Sequence, residues 1–175
     1  IMLRFSPSVN YSYQGPRVDT YFRYQFSSYQ YAKTDIADQT GHKLDNRVTL
    51  QVLPERLSLE TLIAYDQVTV DPTQDVALGD WVSQSNQTDA LSYSAKPTWK
   101  ERIGSMFQAE LQGWHEKVQY DEEQRPETER NGGSFVLSTQ NRGQRWGGGL
   151  SYEYDSSQVE GQEGSAFKTA LLFAS

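Results

Sequence analysis

The chain has 175 residues, with 16 Lys+Arg against 23 Asp+Glu for a net charge of −7, no Cys and two His. That length suits one domain or a contiguous piece of one. The acidic balance argues against a nucleic-acid partner, which needs a basic face, and the missing Cys excludes disulfides, thiol catalysis and cysteinyl zinc sites. The longest apolar run, residues 170–174, is far short of the ~20 residues of a membrane helix.

The dominant pattern is alternation with period two, which predicts half-buried strands. In chain order, residues 3–13 place Leu3, Phe5, Pro7, Val9, Tyr11 and Tyr13 on one face, and residues 18–26 place Val18, Thr20, Phe22, Tyr24 and Phe26 there. Residues 44–52 and 57–65 follow with Leu44, Asn46, Val48, Leu50 and Val52, then Leu57, Leu59, Thr61, Ile63 and Tyr65. Residues 91–99 contribute Leu91, Tyr93, Ala95, Pro97 and Trp99, and residues 103–113 contribute Ile103, Ser105, Phe107, Ala109, Leu111 and Gly113. A short, weak repeat at 135–139 precedes Trp146, Gly148, Leu150, Tyr152 and Tyr154, and the last strand presents Phe167, Thr169, Leu171 and Phe173. These nine faces hold 44 positions, of which 36 are apolar (two prolines included) and none is charged. The 35 intervening positions carry ten charges, so one face is dry and the other wet.

Connections alternate in length. Short turns fall near residues 14–17, 53–56, 100–102 and 141–145, and long polar loops near 32–42, 71–88, 121–132 and 156–165. The loops sum to −9 and the turns to +4. An antiparallel up-and-down meander with all long loops at one end is the pattern of a transmembrane β-barrel of the bacterial outer membrane. The reading is therefore all-β, with about nine strands visible over residues 1–175 as one barrel domain or a segment of a larger barrel, and no second domain. A soluble β-sandwich also alternates, but its strands are usually shorter and it needs no aromatic girdles. Here Tyr13, Trp99 and Trp146 lie by the short turns, and Tyr65, Tyr152 and Tyr154 by the long loops, as membrane-interface aromatics do. Pro7 and Pro97 would interrupt a ladder, so bulges are expected at both. An even strand number with both termini on the periplasmic side is usual for such barrels, which predicts at least one strand before Ile1.

Residues 5–17 (FSPSVNYSYQGPR) resemble the proline-to-glycine strand and turn of outer-membrane barrel proteins associated with PEP-CTERM/exosortase exopolysaccharide loci. The resemblance continues through residues 24–31 and 42–47 (HKLDNR), and again through 89–98 and 101–105 (ERIGS). It implies one wide barrel of the β-barrel porin type, involved in polysaccharide export, and carries over no catalytic residue. The function expected from it is an outer-membrane channel that conducts exopolysaccharide. The alternative is a non-conducting scaffold barrel within a larger envelope assembly. Expected partners are outer-membrane lipid and lipopolysaccharide, with polysaccharide or other envelope proteins, and no cofactor.

The expected lumen-lining residues are Arg4, Asp19, Tyr21, Arg23, Asp45, Arg47, Glu60, Lys96, Glu110, Trp114, Glu153 and Lys168, together with Lys43, Asp66 and Glu116. Their charges either shape passage or pair across strands and keep the wall hydrated. Tyr21 and Trp114 either stack on sugar rings or pack against a neighbour. Enzyme activity is not expected. His115 has outward parity, but Ser105, its nearest same-face hydroxyl in the strand, lies ten residues away, ~33 Å at strand rise. The acidic run 121–129 lacks the glycine-punctuated ligand spacing of a calcium loop, and no metal site is expected. The glycines at 147–149 lack the Lys-Ser/Thr of a phosphate loop and predict close packing by an aromatic.

Overall fold

The computed structural model describes residues 2–32, 38–69, 87–121, 126–139 and 148–174. Those residues form one antiparallel sheet and no helix. The elements are β1 (Met2–Phe5), β2 (Ser8–Gln14), β3 (Val18–Tyr31), β4 (Gln39–Leu53), β5 (Leu57–Thr69), β6 (Gln87–Ile103), β7 (Phe107–Tyr120), β8 (Thr128–Thr139), β9 (Gly148–Val159) and β10 (Ser165–Ala174). From β2 onward each strand pairs with the next in sequence, and β1 pairs with β3 alongside β2. The sheet is open, with β1/β2 at one edge and β10 at the other.

β1 and β2 are two halves of one strand. Phe5 opposes Ser28 and Val9 opposes Tyr24, so the register runs unbroken across Pro7. Pro7 still accepts a hydrogen bond at its carbonyl from Phe26 N at 3.0 Å. The bulges expected at the prolines are absent, because each proline only omits the donor it lacks. At Pro97 the β5 ladder is continuous, while the β7 register resumes in phase from Ala95↔His115 to Thr98↔Gln112. Gly113 faces the ring there, with an added Cβ lying 3.6 Å from Pro97 Cγ. A register shift occurs instead between Gln51 and Leu53, before the β4–β5 turn. That turn closes with Arg56 N donating to Leu53 O at 3.0 Å and holds Glu55 at φ 62°, a conformation usually left to glycine or asparagine.

Strands outlast the apolar alternation at the loop end. β3 runs to Tyr31, β4 starts at Gln39, β8 starts at Thr128 and β9 reaches Val159. Three connections expected to be long are consequently short, the last being only residues 160–164. The backbone ladder does not require an apolar side chain, so polar sequence continues it. The turn expected at 141–145, Trp146, Gly147 and nearly all of the loop expected at 71–88 lie outside the described residues.

The ladders are staggered across the sheet. Tyr13, Thr20, Val48, Thr61, Ala95, His115, Asn131, Ser156 and Ala166 are directly opposed in succession. This row begins next to the turn end of β2 and finishes next to the loop end of β10. Averaged over the pairings from β2 to β10, a strand is displaced by roughly one residue along its neighbour, which at ~3.3 Å rise and ~4.8 Å spacing corresponds to a mean incline of roughly 35°.

Among the described residues the sheet has almost no core. Ala90 and Ala109 are the buried hydrophobics among the described residues. The chain exposes 12631 Å², where roughly 8,700 Å² is expected of a globular protein of this mass.

Candidate functional site

Register decides which side chains share a face, because directly opposed residues lie on the same side. From β1 to β9 the expected apolar face is continuous: Tyr11↔Phe22, Val18↔Leu50, Leu50↔Leu59, Ile63↔Tyr93, Trp99↔Leu111, Leu111↔Phe135 and Phe135↔Tyr152. Tyr13, Trp99, Tyr65, Tyr152 and Tyr154 all lie on it.

β10 breaks the rule. Tyr154 opposes Lys168 and Leu150 opposes Leu172, while Glu153 opposes Thr169 and Asp155 opposes Phe167. Lys168 therefore belongs to the apolar face, with its Nζ 5.8 Å from the centre of the Tyr154 ring, and Phe167, Leu171 and Phe173 turn to the polar one. Leu172 on the apolar face is 85% exposed. A one-residue offset flips every side chain of a strand, and β10 permits it because both of its faces carry apolar residues. Phe173 approaches the backbone at Gly149, where an added Cβ would sit 2.7 Å from its Cζ and 2.4 Å from Leu137 O.

The polar face has two halves. In β7–β9 the charges are tied together. Arg130 Nε and Nη2 grip the Asp155 carboxylate with contacts of 2.9–3.1 Å, and Arg130 Nη1 lies 3.6 Å from Glu116. Trp114 Nε1 donates to the same carboxylate at 3.3 Å. Its ring lies over Gly132, where a Cβ would fall 2.3 Å from it and 2.5 Å from Tyr154 O. Of the two uses foreseen for Trp114, packing against a neighbour is the one the structure contains. Arg130 was expected in a loop. The weak alternation around Asn131, Gly132 and Gly133 hid the strand, although Arg130, Gly132, Ser134 and Val136 keep its parity.

Around Tyr21 in β2–β4 the charges stand apart. Tyr21 opposes Ser12 and Arg47, Arg23 opposes Asn10 and Asp45, and Asp19 opposes Gln14 and Thr49. Among the described residues Arg23 reaches only Gln25 Oε1, at 3.3 Å. Asp19, Asp45 and Arg47 make no ion pair with any described residue. Elsewhere on this face Lys43 pairs with Asp66, Lys100 with Glu110 at 3.2 Å, and the Arg4 guanidinium sits 5.3 Å from the Tyr29 ring centre. Glu60 and Lys96 are directly opposed without an ion pair, and Glu153 has none among the described residues.

Toward the loops the apolar face gains a polar fringe. Tyr24 Oη meets His42 Nδ1 at 2.8 Å, and Tyr65 Oη donates to Asp89 at 2.5 Å. His115 Nδ1 lies 2.5 Å from Asn131 Oδ1, and Lys117 pairs with Glu127 at 2.6 Å. Hydrogen bonds from Lys117 and then Gln119 hold the Glu127 carboxyl below the usual glutamate range. Tyr65, Asp89, Gln119 and Glu127 also border a shallow cavity of ≈ 340 Å³. No group of three or more metal-ligating side chains occurs among the described residues. Comparison of the chain with protein-family models, curated proteins and solved structures finds no match.

Proposed function

We propose that this chain forms the wall of a transmembrane β-barrel in the bacterial outer membrane, with the β2–β9 polar face lining a water-filled passage. The observation that carries the reading is a single-layer sheet with almost no core among the described residues and a continuous, exposed apolar face. A soluble chain of this size would fold that face against itself, whereas lipid solvates it without a second layer. The roughly 35° incline agrees with the strand tilt of 35–45° in membrane barrels. Tyrosines at the edge of the apolar zone, followed by a polar fringe, match a bilayer interface. Exopolysaccharide is the cargo suggested by the resemblance of residues 5–17, 24–31, 42–47, 89–98 and 101–105.

Planar-bilayer recording of the purified protein tests the passage. Stepwise conductance in potassium chloride is expected, together with heat-modifiable migration on gels. A folded, heat-modifiable protein that stays electrically silent would overturn the channel in favour of a scaffold barrel. A folded monomer in detergent-free buffer would overturn the barrel.

A further inference from the structure

We infer that Tyr21 is the floor of a carbohydrate-binding subsite on the polar face, framed by Asp19, Arg23, Asp45 and Arg47. The inference rests on the reading of this face as the wall of a water-filled passage and names the ligand class that the wall would hold.

Tyr21 differs from Trp114 and Tyr29 on the same face. Trp114 is spread over Gly132 and tied to Asp155, and Tyr29 has the Arg4 guanidinium beside its ring. Tyr21 is 40% exposed, and its hydroxyl has no hydrogen-bond partner among the described residues. Its opposed neighbour on β2 is Ser12, with Asn10 beside it. These small side chains leave the ring open toward that strand.

The frame decides the ligand. Two carboxylates and two guanidiniums surround the ring and sum to zero, so neither an anion nor a cation is favoured. The carboxylates only accept hydrogen bonds and the guanidiniums only donate them. Alternating acceptors and donors around an aromatic face match a pyranose, whose hydroxyls project from its rim and whose C–H groups line its face. A ligand site commonly combines such an apolar surface with a few placed polar groups. Arg47 and Asp45 are directly opposed to Tyr21 and Arg23, close enough to act on one sugar unit. None of the four is spent on an ion pair with a described residue, so binding a sugar breaks none.

Titration calorimetry of the detergent-solubilised full chain with cellohexaose, maltohexaose and oligogalacturonate tests the subsite. Saturable binding of at least one neutral oligosaccharide is expected. Tyr21→Ala should weaken it tenfold or more, Tyr21→Phe less than threefold, and Arg47→Gln at least threefold. Saturation transfer from the protein to sugar ring C–H protons gives a second readout on the wild-type chain, independent of whether Tyr21→Ala folds. Binding unchanged in heat-modifiable Tyr21→Ala, or no binding of any of the three sugars by wild type, would overturn the subsite. So would binding of oligogalacturonate alone, because a neutral frame gives no preference for an anion. A conducting protein that binds no sugar sinks the subsite and spares the passage. A silent protein that binds sugar through Tyr21 does the reverse.

Discussion

The polar faces of β2–β4 and β7–β9 are built from the same residue types and end in opposite states. Both place an aromatic among acidic and basic side chains. Around Trp114 in β7–β9 the ring is pinned and Glu116, Arg130 and Asp155 are joined, while around Tyr21 in β2–β4 the ring is bare and Asp19, Arg23, Asp45 and Arg47 are apart. Direct opposition does not make the difference, because Arg23 faces Asp45 and the two form no ion pair. Arg130 reaches Asp155 on a diagonal, since the residue directly opposed to it is Ser157. What differs is glycine. Gly132 lets Trp114 lie flat and brings its indole N–H to Asp155. No glycine lies within β2 or β3.

The largest expected effect tests the dry face that both halves share. Leu50→Arg lies on β4, three residues from Arg47, and puts a cation on the apolar face between Val18 and Leu59. It should cost about 2–4 kcal/mol if Leu50 lies near mid-membrane, measured by urea unfolding in phospholipid vesicles. A cost below that of the neighbouring polar-face change Gln51→Arg would reverse the assignment of faces. Next comes Gly132→Ala, aimed at the pinned half. Its methyl collides with both the Trp114 ring and the fixed Tyr154 carbonyl, which should cost about 1–3 kcal/mol as overpacking. The matching probe in the open half is Ser12→Ala beside Tyr21, which should leave stability unchanged. Equal losses at the two sites would remove the contrast.

How much of this was legible in the sequence follows from where side chains speak for the backbone. The alternation at 44–52 and 57–65 located β4 and β5 because each second residue there is apolar or small. It was silent at 128–134, where Asn131, Gly132 and Gly133 carry little hydropathy, and β8 was read as half its length. It misplaced Lys168, because apolar residues on both faces of β10 leave its register to the backbone ladder. The charges of the polar face keep their parity from β1 to β9, but which of them pair depends on diagonal reach and on a glycine, neither of which a period-two pattern encodes.

The smaller effects separate the two halves directly. Arg130→Met leaves the Asp155 and Glu116 carboxylates without their shared cation and leaves Trp114 as the remaining side-chain donor to Asp155. The network is partly exposed, so the loss should be modest, roughly threefold to fivefold in the folding equilibrium. Arg47→Met removes a cation that pairs with no described carboxylate, and its change should stay within roughly twofold. The two substitutions are chemically identical and sit on the same face, so their ratio isolates pairing from the loss of charge itself. Urea midpoints recorded at low and high salt sharpen the test, because screening weakens an exposed ion pair. High salt should shrink the Arg130→Met deficit and leave that of Arg47→Met in place. A deficit for Arg47→Met as large and as salt-sensitive as that for Arg130→Met would mean that the open half is paired after all, and would leave Tyr21 with no unengaged frame around it.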